Sequence, residues 1–400
     1  MKSIIKCIVL LILKIFPLRR EVVFRSFNGR YSDSPKAISE RLHELRPDIK
    51  QVWLVDEKTK GSLPGYAKEV EIDSITAIFH SATAAAFIDN NYGRKGINII
   101  ASNNKVFLSK LTVWLNTTKG QINLSTWHGT PLKKIGKDQP GSQDIDFLTP
   151  PLIMVHPNKH TQNVMERITF QKISSELMGL PRNDLLFSQG KNNEIRRKLG
   201  FSEEQRIVLY APTFRSDGYD TDSKNVERSG LLQLKEMQFD KLFKALEHKF
   251  GGEEWVFVGR FHYFVDNEID WDALTKADNR IVNGNEHEDI NEYLLVSDVL
   301  ITDCSSCLFD FALTKKPAFL FFPDLENYKN SERGFYFEVN KMPFPCTTTF
   351  NELISKIDLF DTENYSEYLE KMNCEMMNAD EGHASQRVVE YIFNNSRTLA

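Results

Sequence analysis

Asp298-Val299-Leu300-Ile301-Thr302-Asp303-Cys304-Ser305-Ser306-Cys307-Leu308-Phe309-Asp310 runs from an apolar stretch, through a short polar loop, into a second apolar pattern. It reads as strand, loop and helix start. The strand part shows no polar alternation, as expected of a strand covered on both faces in a parallel sheet. Ser305 or Ser306 suits a helix N-cap, and the N–H groups of that first turn make an anion site that could hold a diphosphate without a lysine. An ordinary serine cap with no ligand is the plainer alternative.

The same alternation recurs on both sides. Strands are expected near 21–27, 51–55, 84–88, 122–126 and 152–156, with helices near 34–46, 73–80 and 158–169. In the second half, strands are expected near 206–211, 254–259, 280–283, 298–302 and 317–322, with helices near 239–250, 288–296, 306–314 and 385–394. The turn Gly179-Leu180-Pro181-Arg182-Asn183-Asp184 and the polar segment 188–205 mark a boundary. The expectation is an α/β chain with a leading segment 1–20 and two Rossmann-like domains, 21–184 and 185–400, facing a central cleft. Ligands in such sheets bind beyond the carboxyl ends of the strands.

Composition narrows the chemistry. The 400 residues exceed the size at which a single core usually stops growing. The 50 basic and 55 acidic residues give a net charge of −5, which argues against a nucleic-acid binder. The five cysteines, Cys7, Cys304, Cys307, Cys346 and Cys374, are too few and too scattered for a secreted disulfide framework, so a reducing compartment fits.

The first twenty residues carry Lys2, Lys6, Lys14, Arg19 and Arg20 and no acid. Their apolar run from Cys7 to Leu13 is far short of the roughly 20 residues that span a bilayer. Ile5, Ile8, Val9, Ile12 and Phe16 follow helical spacing, so an amphipathic helix lying on an anionic membrane surface is expected. A signal peptide would need a small-residue cleavage site, which is missing, and a first core helix is the other alternative.

Four further segments follow strands. Ser125-Thr126-Trp127-His128-Gly129-Thr130 offers His128 as a general base beside a hydroxyl nucleophile, with Gly129 allowing close ligand approach. A turn histidine held by hydrogen bonds is the alternative. In Gly259-Arg260-Phe261-His262, Arg260 and His262 would share a face of an extended strand end and could neutralise phosphate oxygens. An arginine paired with a surface carboxylate is the plainer reading. Pro212, Thr213 and Arg215 follow the strand at 206–211 and offer a restricted turn, a hydroxyl and a guanidinium. Asp324 and Glu326 follow the strand at 317–322 and suit ribose hydroxyls, or simply a surface turn.

Cys304-Ser305-Ser306-Cys307 lacks the second pair of ligands a zinc site needs, and a redox CxxC belongs in a smaller domain. Asp144-Ile145-Asp146 and Asp220-Thr221-Asp222 follow no clear strand. Neither a metal nor another cofactor is expected.

Taken in order, WHGTPLK (127–133), GLPRND (179–184), LYAPTFR (209–215), GRFH (259–262), DVLITDCSSCLFDFA (298–312), KKPAFLFFPDLENY (315–328) and ERGFYFE (332–338) resemble the CDP-glycerol glycerophosphotransferase family, which makes teichoic acids and related capsules. The likeness covers roughly residues 22–395. It implies a GT-B fold whose acceptor-side domain is 21–184 and whose CDP-donor domain is 185–400. It also implies that His128 is the general base, that His262 is a second essential histidine near the donor phosphates, and that Ser305 and Ser306 are pyrophosphate ligands. Arg260, Thr213, Arg215, Thr302 and Asp303 fall in or beside matching motifs. Cys304 stands where the family usually has Tyr, and Glu338 where Asp is common.

The implied reaction is transfer of glycerol phosphate from CDP-glycerol to a lipid-linked glycan or growing polyol-phosphate chain at the cytoplasmic face of the membrane, with release of CMP. CDP-ribitol is the alternative donor. A nucleotide-sugar glycosyltransferase of the same architecture and a membrane-bound assembly scaffold are the rival readings. The sequence leaves oligomeric state open.

Overall fold

The computed structural model describes residues 11–91, 118–139, 153–168, 174–213, 234, 237–261, 266–328 and 334–400. His262, Arg215, both Asp-x-Asp triplets and the first ten residues lie outside them. The chain forms two compact units. One comprises Met1–Gly129, Asp144–Asp184 and Met377–Ala400, the other Thr130–Gln143 and Leu185–Met376. Residues 377–400 thus group with the first unit, although a linear division after Asp184 puts them in the second.

Among the described residues the first unit holds seven strands: β1 (Arg19–Arg25), β2 (Lys50–Val55), β3 (Ala67–Glu71), β4 (Ala84–Asp89), β5 (Ile122–Ser125), β6 (Ile153–His156) and β7 (Ser174–Leu177). They lie in the order β3-β2-β1-β4-β5-β6-β7, every pair parallel. Helices α1 (Asp33–Leu45), α2 (Ile75–Thr83) and α3 (Lys159–Ile168) connect strands. β4 is AAAFID and every residue is buried, so the sheet is covered on both faces at its centre. The order reverses between β1 and β4, and the register brings Arg25, Asp89 and Ser125 side by side at the carboxyl edge.

The second unit adds α4 (Asn192–Lys198), β8 (Arg206–Ala211), α5 (Phe239–Phe250), β9 (Trp255–Gly259), α6 (Trp271–Ala277), β10 (Ile281–Asn283), α7 (Ile290–Val296), β11 (Val299–Thr302), α8 (Cys307–Ala312), β12 (Ala318–Phe321), β13 (Cys346–Thr347), α9 (Phe350–Asp358) and α10 (Thr362–Glu375). The last helix, α11 (Ala384–Asn395), belongs to the first unit. The second sheet runs β10-β9-β8-β11-β12-β13, again all parallel, with its order reversing between β8 and β11. Trp255, Phe257, Phe319 and Phe321 are almost wholly buried in it, each worth about 2 kcal/mol of hydrophobic stabilisation. α5 buries Leu242, Phe243, Ala245 and Leu246 on one stripe and stops at Gly251.

The GLPRND turn is a structural joint within the first unit. The Asp184 carboxylate accepts from the backbone N–H groups of Ala384 and Ser385, both at 2.8 Å, and from the Ser385 hydroxyl at 2.5 Å. Asp380 accepts from Leu180 N at 2.6 Å and Asn183 Nδ2 at 3.2 Å. Gly179 has φ +79, and a Cβ there would lie 2.9 Å from the Ala379 carbonyl oxygen, so only glycine suits the position. The turn before residue 185 and the start of α11 are therefore tied to one another.

Of the leading segment, residues 11–13 are helical and β1 begins at Arg19. Leu13 is buried, while Leu11, Ile12, Ile15 and Phe16 are exposed. Among the described residues no helix is long and apolar enough to cross a membrane.

Candidate active site

In the first unit the chemistry gathers at the carboxyl edge where the strand order reverses, the place where open parallel sheets bind ligands. His128 lies three residues past the end of β5 and is half-buried. Its Nδ1 is 2.9 Å from the backbone carbonyl oxygen of Asn90, which follows β4. A carbonyl can only accept, so Nδ1 carries the proton and the basic lone pair of the neutral ring is on Nε2.

Two aromatic rings neighbour the imidazole. Trp127 lies against it with ring centroids 3.9 Å apart, and Phe27 with centroids 6.0 Å apart. Both adopt left-handed backbone conformations, φ +54 for Trp127 and +45 for Phe27. Bulky residues rarely sit there, and such conformations collect at functional sites. Gly129 has φ +131 and completes the tight turn. Below this group, Arg25 and Asp89 form a buried ion pair at 2.7 Å that joins the ends of β1 and β4.

Asn90 was not among the residues singled out from sequence. The signal available was the polar run Asp89-Asn90-Asn91 immediately after an apolar strand. No residue-type pattern announces that the group fixing His128 is a main-chain carbonyl.

In the second unit, the register sets Thr302 opposite Ala211, so Pro212-Thr213 and Asp303 emerge next to each other at the reversal point. The Asp303 carboxylate accepts from Thr213 N at 2.9 Å, from the Thr213 hydroxyl and from Cys304 N at 2.5 Å. The Thr302 hydroxyl donates to the Ala211 carbonyl at 2.7 Å. Thr302 and Asp303 are buried, and Pro212 is buried beside them. These four residues therefore shape the loops.

Ser305 and Ser306 follow directly and are half-exposed. The Ser305 hydroxyl accepts a 3.4 Å bond from Cys307 N, whereas Ser306, at the N-cap position of α8, makes no capping bond with its side chain. α8 is six residues long, a modest dipole, so the serine hydroxyls and loop amides are the larger resource for an anion. Cys304 is fully buried with Leu132, Phe309 and Phe322, and its Sγ is 3.3 Å from the Thr213 hydroxyl. Here the thiol fills a core position. Cys304 and Cys307 are buried, Cys346 is half-buried and Cys374 is exposed.

Arg260, expected from sequence beside the donor phosphates, is held in place by main-chain carbonyls. Its guanidinium donates to the backbone carbonyls of Gly284 and His287 through Nη1, at 2.7 and 2.6 Å, and to that of Glu288 through Nη2, at 2.6 Å. It also stands over the Tyr293 ring, 5.6 Å from its centroid. These bonds from the planar fork pin the loop between β10 and α7. Asp324 precedes a single helical turn and is half-buried, and Glu326 is exposed on that turn. The WHGTPLK tail and the ERGFYFE segment meet in this unit: Lys134 N donates to the Gly334 carbonyl at 3.1 Å and Tyr336 N to that of Leu132 at 2.9 Å.

Comparison with known proteins agrees with this anatomy. The chain is 28% identical over 395 residues to the teichoic acid poly(glycerol phosphate) polymerase of Staphylococcus epidermidis, spanning 93% of this chain and 50% of that one. It is 29% identical over 395 residues to the protein of the same description from Bacillus spizizenii, spanning 92% and 91%. This chain thus covers about half the length of the first relative and nearly all of the second. A solved structure of the wall teichoic acid polymerase TagF matches with a TM-score of 0.77 and 26% identity, over 98% of this chain and 95% of that one. The α/β architecture of two parallel sheets is common to both. The family model of CDP-glycerol:poly(glycerophosphate) glycerophosphotransferases spans residues 9–394, taking in every motif whose contacts are described above, and the chain belongs to that family.

Proposed function

We propose that this chain transfers glycerol phosphate from CDP-glycerol to a hydroxyl of a lipid-linked glycan or a growing polyol-phosphate chain, releasing CMP, in teichoic acid or capsule synthesis. The observation that carries the reading is the family match over 9–394, joined to a histidine of fixed tautomer at the carboxyl edge of a parallel sheet.

In the reaction the acceptor oxygen attacks the β-phosphorus of the donor. A new P–O bond forms, the bond from that phosphorus to the bridging oxygen breaks, and CMP departs with the electron pair. The acceptor proton goes to Nε2 of His128. Ser305 and Ser306 hydrogen-bond the diphosphate, while Thr213, Thr302 and Asp303 hold their loop in shape. His262 and Arg215 act on the donor phosphates, a role supported by their position in the family's motifs. Asp324 and Glu326 are assigned to the nucleotide. Positioning and charge neutralisation supply most of the rate. No metal ion or other cofactor enters this scheme.

Each unit serves as one half of a GT-B-type enzyme, the first on the acceptor side and the second on the donor side. The leading segment rests on the cytoplasmic face of the membrane as a peripheral anchor. Its support is the row of exposed Leu11, Ile12, Ile15 and Phe16 beside Lys14 and the basic residues of the first twenty. Deleting residues 2–18 is expected to move the protein from the membrane pellet to the soluble fraction, and full retention in the pellet would sink the anchor.

The activity is tested by incubating the protein with CDP-glycerol or CDP-ribitol and a lipid-linked disaccharide, reading CMP and product mass. CMP and a glycerol phosphate adduct are expected from CDP-glycerol. CMP from CDP-ribitol alone would reassign the donor, and CMP from neither would overturn the proposal.

A further inference from the structure

The contacts around His128 converge on one buried side chain. Asn90 is fully buried at the end of β4. Its backbone carbonyl takes the Nδ1 proton of His128 at 2.9 Å. Its side-chain oxygen accepts from Phe27 N at 2.8 Å, and its side-chain nitrogen donates to the Ser26 hydroxyl at 3.2 Å. Ser26 Oγ in turn is 3.4 Å from Ser32 Oγ, just before α1.

Phe27 has a left-handed backbone and its ring packs on the imidazole. The side-chain amide of Asn90 therefore grips the strained residue that neighbours the ring, while its backbone carbonyl holds the ring's Nδ1–H. A conformation unfavourable for Phe persists only where its surroundings over-determine it, and Asn90 supplies that constraint.

We propose that Asn90 is the positioning residue for His128, setting both its tautomer and its ring plane. The role in turnover rests on the reading of His128 as general base; the role in ordering the ring does not. Loss of the amide frees the Phe27 turn and lets the Asn90 peptide rotate. The Nδ1–H bond is then lost for part of the population, and the proton moves to Nε2 in those molecules. That tautomer presents N–H where a lone pair is needed.

The test uses the full chain with 15N-labelled histidine, the His128 signals being assigned from the spectrum of His128→Gln. In the wild type, Nδ1 is expected to show a protonated shift and Nε2 an unprotonated one. In Asn90→Ala the two should approach each other as tautomers mix. The kcat for CMP release should fall tenfold or more, with the KM for CDP-glycerol within twofold of wild type. Asn90→Asp keeps an acceptor for Phe27 N, and Ser26 can turn its hydroxyl to donate to it, so tautomer order and Phe27 packing should largely return. It is the variant to measure should Asn90→Ala fail to fold.

An unchanged tautomer in Asn90→Ala, or equal mixing in the aspartate variant, would overturn the proposal. If His128→Ala keeps normal turnover, the general-base reading fails, and the ring signals still decide whether Asn90 orders His128.

Discussion

The Asp303 carboxylate, buried at the end of β11, accepts from both the backbone N–H and the hydroxyl of Thr213, so one side chain couples the loops that leave β8 and β11. The same oxygen holds Cys304 N, immediately before Ser305 and Ser306. Removing it should disturb the donor loop as well as the fold. Asp303→Ala is expected to cost about 1.5–3 kcal/mol, the range for hydrogen bonds to a charged group. It should also raise the KM for CDP-glycerol at least tenfold. Thr213→Val loses only the hydroxyl bond and should cost about 1 kcal/mol. Urea denaturation and CMP-release kinetics measure both, and an unaltered donor KM in a folded Asp303→Ala would refute the coupling.

Arg260 gives a sharper contrast, because its sequence context suggests phosphate while its guanidinium donates to three main-chain carbonyls. Arg260→Met should cost about 2–3 kcal/mol through those lost charged hydrogen bonds. The amides of residues 285–289 should exchange faster with solvent. Arg260→Lys, with a mobile ammonium, should recover part of the loss. A large rise in donor KM with unchanged stability would return Arg260 to the phosphates.

How far the sequence could be read follows from where each signal resides. Strands at the centre of the two sheets, such as β4 and β8, are buried on both faces and stand out as apolar runs within a residue or two of their ends. β3 (AKEVE) and β7 (SSEL) do not, because edge strands keep polar side chains and need no apolar run. α9 is absent from the sequence expectation although Thr349 and Glu352 form a capping box, a legible start signal. That α11 returns to the first unit is invisible locally, since Val388, Val389 and Ile392 would suit any apolar surface. At the site, His128, Ser305 and Asp303 were legible as polar residues just past buried strands. The clamp on His128 was hidden in a backbone carbonyl and two aromatic residues of positive φ.

Asp184 separates a structural motif from a catalytic one. It accepts three hydrogen bonds at the start of α11, where a carboxylate also complements the helix dipole. Asp184→Ala should lower stability by about 2–3 kcal/mol. Below the melting transition, kcat and KM should stay within twofold of wild type. Lost activity at unchanged stability would give the GLPRND turn a direct part in the reaction.

His156 predicts a pH dependence of folding. It ends β6 fully buried, and neither ring nitrogen has a hydrogen-bond partner among the described residues. Burial, reinforced by the charge of Lys159, pulls its pKa from the ordinary 6.5 down to about 4. In the unfolded chain the ring regains its ordinary value, so protons bind the unfolded state more tightly. The neutral ring's contribution is thus fully present above pH 6.5 and is lost as the pH falls toward 4. Integrating the linkage between pH 7 and pH 5 gives a loss of about 2 kcal/mol from this one group. His156→Phe keeps a ring and removes both unpartnered nitrogens, so stability at pH 7 should be equal or higher. Between pH 7 and pH 5 the variant should lose about 2 kcal/mol less than the wild type in urea titrations at the two pH values. An equal loss in both proteins would show that His156 finds a proton acceptor in the folded state and that its burial costs nothing on acidification.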